Sequence, residues 1–196
     1  TRERKSKAGV IVTASHSPPQ DNGLKCYDGT GTEYIPREEE ILEDLILNMK
    51  YKPIDWKKVG YISRIANANE EYVEAVLRQV TRLERRIKVL VDCANGMATN
   101  TTPIILSKLG CTVVTINSSI DGTFPGRLPE PSPENLGDTC RLVREIGADI
   151  GIAHDADADR LTVIDEKGRY VTNDSVLALF AKLLLERHGG GHVVTS

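Results

Sequence analysis

Three short apolar runs recur between helical stretches in the second half of this chain, and no other feature limits its fold as much. The runs are residues 87–91, 111–116 and 149–153. Between the first two, residues 102–109 have helical composition and are stopped by Gly110. Between the second and third, Ser132-Pro133-Glu134 offers a capping hydroxyl, a first-turn proline and an acid facing the helix dipole; that helix ends near Gly147. Short strands alternating with helices specify parallel βαβ units with right-handed crossovers. The expected class is α/β, with mixed, mainly parallel sheets flanked by helices. Beyond the third run, residues 161–165 and 170–172 flank Glu166-Lys167-Gly168 as a hairpin. Asn173 or Asp174 then caps an apolar helix to about Arg187, and Gly189-Gly190-Gly191 reads as a linker. His192-Val193-Val194-Thr195 reads as a strand just starting.

The first half is less regular. Ala8-Gly9-Val10-Ile11-Val12-Thr13 reads as a buried strand, followed by a loop rich in Pro, Asp, Asn and Gly over residues 15–23. Residues 23–27 and 32–35 suggest a hairpin around Asp28-Gly29, and the glycines of Asp28-Gly29-Thr30-Gly31 read as its turn, not as a phosphate cradle. Residues 38–49 carry an acidic start and apolar residues at helical spacing, Ile41, Leu45 and Met49. Residues 51–65 are weakly patterned and form the candidate boundary. A second helix is expected from about Glu70 to Arg85, with Asn69 as its cap. A buried strand so near the first residue, and another starting near the last, imply a piece of something longer.

The third run ends in His154-Asp155-Ala156-Asp157-Ala158-Asp159-Arg160, three carboxylates on alternate residues. On extended backbone, positions two apart share a face, so the carboxylates converge and repel unless a cation sits between them. Hard oxygen donors suit Mg²⁺ or Ca²⁺ rather than zinc. An EF-hand is a poor fit: Glu166 stands at the twelfth position, but Arg160 occupies the place that needs glycine and the flanks read as strands. The loop lies at the carboxyl end of a parallel strand, where open α/β sheets bind ligands. Asp92 and Asn95-Gly96 also end a strand, and there a structural turn is the plainer reading.

Composition narrows the classes. The 196 residues are 40% hydrophobic with a formal net charge of −3, so one or two modest cores are within reach and no polycationic face invites nucleic acid. No apolar run approaches membrane-spanning length, and no signal-peptide core follows the charged first residues. Cys26, Cys93, Cys111 and Cys140 show no CxxC spacing; Cys93 and Cys111, in or beside apolar strands, read as reduced buried thiols. A cytoplasmic protein is expected, with no membrane partner; the sequence says nothing of its oligomeric state.

Thr13-Ala14-Ser15-His16-Ser17-Pro18-Pro19 places a serine where a strand breaks into a loop whose direction two prolines fix. From these residues alone a strand-terminating turn is the plain reading, and adjacent Ser and His side chains rarely meet as nucleophile and base. No G-x-S-x-G elbow supports acyl transfer. Together with Asp21-Asn22-Gly23-Leu24-Lys25, however, the segment resembles the active-site loop of the α-D-phosphohexomutase superfamily. Asp155-Ala156-Asp157-Ala158-Asp159-Arg160 is similar to that family's magnesium loop, and Asp121-Gly122-Thr123-Phe124-Pro125-Gly126-Arg127 through Pro129-Glu130-Pro131 to its linking segment.

The resemblance implies a phosphotransferase that interconverts hexose 1- and 6-phosphates of glucose, mannose or glucosamine. Ser15 would be the phosphoserine, rephosphorylated from a hexose 1,6-bisphosphate intermediate. Asp155, Asp157 and Asp159, with Ser15, would hold one Mg²⁺; Lys25 would act as general acid/base, His16 would assist, and Arg160 would fork onto phosphate oxygens. Ser17 departs from the asparagine most often found there, which costs an amide rather than the nucleophile. By resemblance, residues 1–66 are the later part of a first domain carrying the phosphoserine loop, 67–189 the second, metal-binding domain, and 190–196 the start of a third. An incomplete first domain plus a second α/β domain should turn over substrate poorly or not at all. Two other readings compete: a metal-dependent phosphatase with an aspartyl nucleophile, and a non-catalytic module that binds sugar phosphates.

Overall fold

The computed structural model describes residues 1–81 and 83–195. It contains two compact units: residues 1–14 with 20–68, and residues 15–19 with the chain from Asn69 onward.

The second unit is built on a five-stranded mixed sheet in the order β4-β3-β5-β6-β7. Its strands are β3 (Lys88–Asp92), β4 (Thr112–Ile116), β5 (Ile150–His154), β6 (Leu161–Ile164) and β7 (Tyr170–Val171). The first three are parallel, Val89 pairing with Val113 and with Ile150, and β6 and β7 are added antiparallel. Helices α3 (Thr102–Lys108) and α4 (Gly137–Glu145) follow β3 and β4.

Central β3 explains the layering. Val89, Leu90 and Val91 are 0%, 1% and 0% exposed, because alternate side chains on a parallel strand enter cores on opposite faces. Val89 and Val91 join Cys93, Ala98 and Cys111, with Leu106 of α3 packed against them. Leu90 joins Val143 of α4, Ala148 and Ile164. Each fully buried Val, Leu or Ile among them contributes roughly 1.5–3 kcal/mol. The carboxyl ends of β3 and β5 therefore lie side by side on a rigid platform.

The remaining α-helices among the described residues are α1 (Pro36–Leu47), α2 (Ala68–Leu77) and α5 (Asn173–His188). Helix α2 is shorter than expected: Gln79 N–H closes a last turn on Val76 carbonyl, and β-branched Val80 and Thr81 follow. Arg82, within the expected helix, lies outside the described residues. Asn69 is inside α2 rather than at its cap. Helix α4 begins at Gly137, with Leu136 instead of Ser132 at the cap position; residues 132–135 are held in a turn of their own, in which Asn135 N–H meets Ser132 carbonyl and Asn135 Nδ2 donates to Glu130 carbonyl. Thr172, rather than Asn173 or Asp174, caps α5 by accepting from Ser175 N–H, and Gly189 closes that helix in the left-handed conformation. Residues 192–195 form no strand, having no ladder partner among the described residues; Ser196 is not described.

In the first unit, β1 (Ala8–Val12) pairs antiparallel with β2 (Leu24–Asp28), with Ile11 opposite Lys25. The hairpin expected after β2 is reduced to one bridge, Tyr27 to Glu33, around a turn in which Asp28 Oδ1 accepts from Thr30 and Thr32 N–H. Strand β1 is not buried as expected: a two-stranded ribbon leaves its faces open, and among the described residues none before Val73 is buried. Helix α1 starts two residues early because Pro36 opens it and the Glu38 carboxylate accepts from Ile35 N–H. No described helix is long and apolar enough to cross a membrane.

Candidate active site

Residues 155–160 leave β5 and return as β6, and they are not extended. Ala158 adopts φ 64°, a left-handed turn that an L-residue seldom takes. Alternation on a flat strand is thus not what gathers the aspartates; the loop curls, and its curl brings one oxygen each of Asp155, Asp157 and Asp159 within 4.8 Å of one another. Two ties close its base. Arg160 N–H donates to Asp155 Oδ1 at 3.1 Å, and His154 Nδ1 lies 2.9 Å from Arg160 carbonyl. A carbonyl only accepts, so Nδ1 carries the proton and Nε2 faces the Thr102 hydroxyl at 3.0 Å. Burial pushes His154 below the ordinary histidine range, which keeps the ring neutral.

The loop leans on the turn after β3. Met97 N–H donates to Ala156 carbonyl at 2.8 Å. A Cβ on Gly96 would collide with that carbonyl oxygen, so only glycine lets the two backbones approach this closely.

Asp155 is fully buried, and its carboxyl is pushed up to about 6, chiefly by burial and further by the charges of Asp157 and Asp159. Three hard oxygen donors, one of them desolvated, converging on a common point fit a divalent cation of the Mg²⁺ or Ca²⁺ type. The donor set has no sulfur or imidazole that would favour zinc.

Ser15 meets this cluster across 140 residues of sequence: its hydroxyl donates to Asp155 Oδ2 at 3.2 Å. Ser15 holds φ 53°, a strained conformation of the kind concentrated at functional sites. The same turn makes the adjacent side chains meet after all, His16 Nδ1 lying 3.3 Å from Ser15 Oγ. Glu130 Oε2 lies 3.6 Å from His16 Nε2, and the same carboxylate takes Arg160 Nη1 at 3.1 and 2.8 Å. Beside this pair, Pro131, Ser132, Thr162, Tyr170 and Asn173 line a cleft of about 420 Å³. The structure thus brings together Ser15, His16, Arg160 and the three aspartates. Lys25 lies on β2 in the other unit, opposite Ile11.

Sequence reasoning missed Glu130 and a buried cluster at the end of β3. Asp92, fully buried, accepts from Arg127 Nε at 2.7 Å, Thr139 Oγ1 at 2.6 Å, Ala94 N–H at 3.0 Å and Asn117 Nδ2 at 3.0 Å. The signal was present: an aspartate that follows Val89-Leu90-Val91 at the end of a parallel strand must find a cation or several donors. Which residue supplied them could not be read from spacing.

Two family models match the chain. Residues 70–168 match the model of phosphoglucomutase/phosphomannomutase α/β/α domain II, and residues 1–52 that of domain I. A phosphopentomutase of Thermococcus kodakarensis is 46% identical over 96% of this chain, which covers 42% of that protein. A phosphoglucosamine mutase of Methanocaldococcus jannaschii is 38% identical over 98% of this chain and 44% of its own. A phosphoglucomutase/phosphomannomutase family protein from Burkholderia thailandensis superposes with a TM-score of 0.82 at 32% identity, over 92% of this chain and 38% of that one. The chain thus spans about two fifths of the length of these relatives. With one domain model over half of its residues and a second over most of the first unit, the chain belongs to the phosphoglucomutase/phosphomannomutase family of the α-D-phosphohexomutase superfamily.

Proposed function

We propose that this chain carries the phosphoryl-donating and metal-holding part of a sugar-phosphate mutase, an isomerase that moves a phosphoryl group between two hydroxyls of one sugar through an enzyme phosphoserine. The observation that carries the proposal is the 3.2 Å hydrogen bond from Ser15 Oγ to Asp155 Oδ2, which sets a strained serine against the acidic cluster. A seryl phosphate of charge about −2 beside three carboxylates is tolerable only with a cation among them. Asp155, Asp157 and Asp159 hold Mg²⁺ in this reading, with Ser15 as the fourth protein ligand. When bound, it supplies neutralisation of the charge on the oxygens of the transferring phosphoryl group.

The chain's own groups supply the rest. The Ser15 hydroxyl proton has two acceptors in reach, Asp155 Oδ2 and His16 Nδ1, so the oxygen can be unmasked as a nucleophile and reprotonated when it leaves. Glu130 orients His16 from its far nitrogen and holds Arg160 in reserve as a fork for phosphate oxygens. Lys25 is assigned the proton transfers at the sugar hydroxyl, by likeness of the loop that carries it. The substrate is a hexose or pentose phosphate, the second class entering with the phosphopentomutase relative, and the sugar bisphosphate is the intermediate that rephosphorylates Ser15. The workplace is the cytoplasm, where such metabolites are found.

Peptide mapping of purified protein tests this directly. Phosphate is expected on Ser15, stable to hydroxylamine, and Ser15→Ala in the full-length protein should reduce sugar-phosphate interconversion by at least ~10³-fold while leaving the fold intact. A hydroxylamine-labile phosphate on an aspartate would replace the mutase reading with that of a phosphatase.

A further inference from the structure

We propose that Arg127 is a positioning residue for both halves of the site, an inference that rests on reading Asp155, Asp157 and Asp159 as magnesium ligands. One guanidinium reaches the carbonyl just before Asp155 and the carbonyl just before Glu130. Its Nη2 donates to His154 carbonyl at 2.6 Å, and its Nη1 donates to Leu128 and Pro129 carbonyls at 2.9 and 3.0 Å. The Nε–H meets Asp92 Oδ2 at 2.7 Å, and the Arg127 side chain is only 6% exposed.

The consequence follows from what these backbones carry. Residues 155–160 form no strand, so the places of the three carboxylates depend on how the loop's two ends are held. Arg160's end is tied by the His154 ring and by Asp155 Oδ1. The Asp155 end is the terminus of β5, and there Arg127 fixes the carbonyl that sets the direction of the first ligand. The same fork sets the carbonyl from which Glu130 departs, hence where that carboxylate meets His16 and Arg160. Asp92 makes the device rigid, because it is fully buried and held by Thr139, Ala94 and Asn117 besides Arg127. A planar guanidinium with five donors spans three segments in this way; an ammonium on a flexible stem does not.

Arg127→Lys separates this role from a merely structural one, since lysine retains a cation for Asp92 while losing the fork. Calorimetric titration of the chain with Mg²⁺ alone gives the readout, without activity. Arg127→Lys should remain folded and raise the Mg²⁺ Kd by about tenfold or more, the usual cost of disturbing groups that orient metal ligands. Leu90→Ala, which loosens the core beneath the same sheet, should leave that Kd within about twofold of the unmodified chain. An unchanged Kd in Arg127→Lys overturns the proposal, and so does an equal rise in Leu90→Ala. Should Arg127→Lys not fold, the Asp92→Asn/Arg127→Gln pair leaves no unpaired buried charge and carries the same two outcomes. Asp157→Asn serves as the reference: if it too binds Mg²⁺ normally, the metal reading itself fails, whereas a weakened Asp157→Asn beside normal Arg127 variants removes only the positioning role.

Discussion

Strands β1 and β3 are both five residues long and rich in branched apolar side chains, yet they meet opposite fates. Val10, Ile11 and Val12 of β1 remain 59%, 47% and 68% exposed, while Val89, Leu90 and Val91 of β3 are 0%, 1% and 0% exposed. Local sequence does not separate them. Strand β3 has hydrogen-bonded neighbours on both sides and cores on both faces; β1 has β2 and no buried residue on either face among the described residues. Apolar composition gives a strand the capacity to be buried, and the elements around it decide whether that capacity is used. The candidate site follows the same division, its metal loop and buried ion pair standing on the platform around β3.

Hydrogen exchange should show the widest gap. Amides of β3 and β5 are expected to open only with the global unfolding of a domain, at about 5–15 kcal/mol, which means protection factors of roughly 10⁴ or more. Amides of β1 and β2 lose protection by local fraying and should stay below about 10². Comparable protection in the two ribbons would mean that β1 has a covering layer, and the contrast would disappear.

Ion pairs offer a sharper version. Asp92–Arg127 is 0% and 6% exposed, whereas Asp44–Lys50 in the first unit is 49% and 55% exposed. Asp92→Ala leaves a guanidinium buried without its carboxylate and should cost about 3–5 kcal/mol in urea unfolding. Asp44→Ala removes a pair that water already screens, and its unfolding midpoint should not move measurably. A small effect at Asp92 would show that water reaches Arg127 and that the platform is softer than its burial implies.

What could be read beforehand divides along the same line. The βαβ order, the antiparallel return through Glu166-Lys167-Gly168 and the acidic loop were legible, because they rest on local periodicity and turn residues. Helix α4 starts four residues later than expected, its cap at Leu136 instead of Ser132, because Ser132-Pro133-Glu134 is a sound local start that the bonds of Asn135 to Ser132 and Glu130 and the burial of Leu136 turn to another use. Asp155, Asp157 and Asp159 were singled out for the right spacing but with the wrong backbone: a left-handed Ala158, not an extended chain, gathers them. Glu130 and Arg127 were named only as parts of a linking segment. The partners that tie them to the site, His154, Asp92 and Arg160, lie 27 to 35 residues away in sequence, and no window on the chain contains that geometry.

The smallest contrast is between two thiols. Cys93 follows β3 and is 0% exposed, and burial pushes its thiol up to about 11. Cys26 lies on β2 and is half-buried. Alkylation requires the thiolate, and at pH 8 a group with a pKa of about 11 is ionised in roughly one molecule in 10³. Cys93, both protonated and shut away from solvent, should therefore react with iodoacetamide far more slowly than half-buried Cys26 at that pH. The sign with pH is fixed: the folded thiol ionises at higher pH than the unfolded one, so burying it neutral contributes stability below about pH 9 that is lost as the pH climbs toward 11. Labelling of Cys93 should accelerate over that interval from both causes, rising ionisation and more frequent opening of the sheet. If Cys93 instead labels as fast as Cys26 at pH 8, the β3 end opens as readily as the β1–β2 ribbon, and burial on this face gives the site no rigidity.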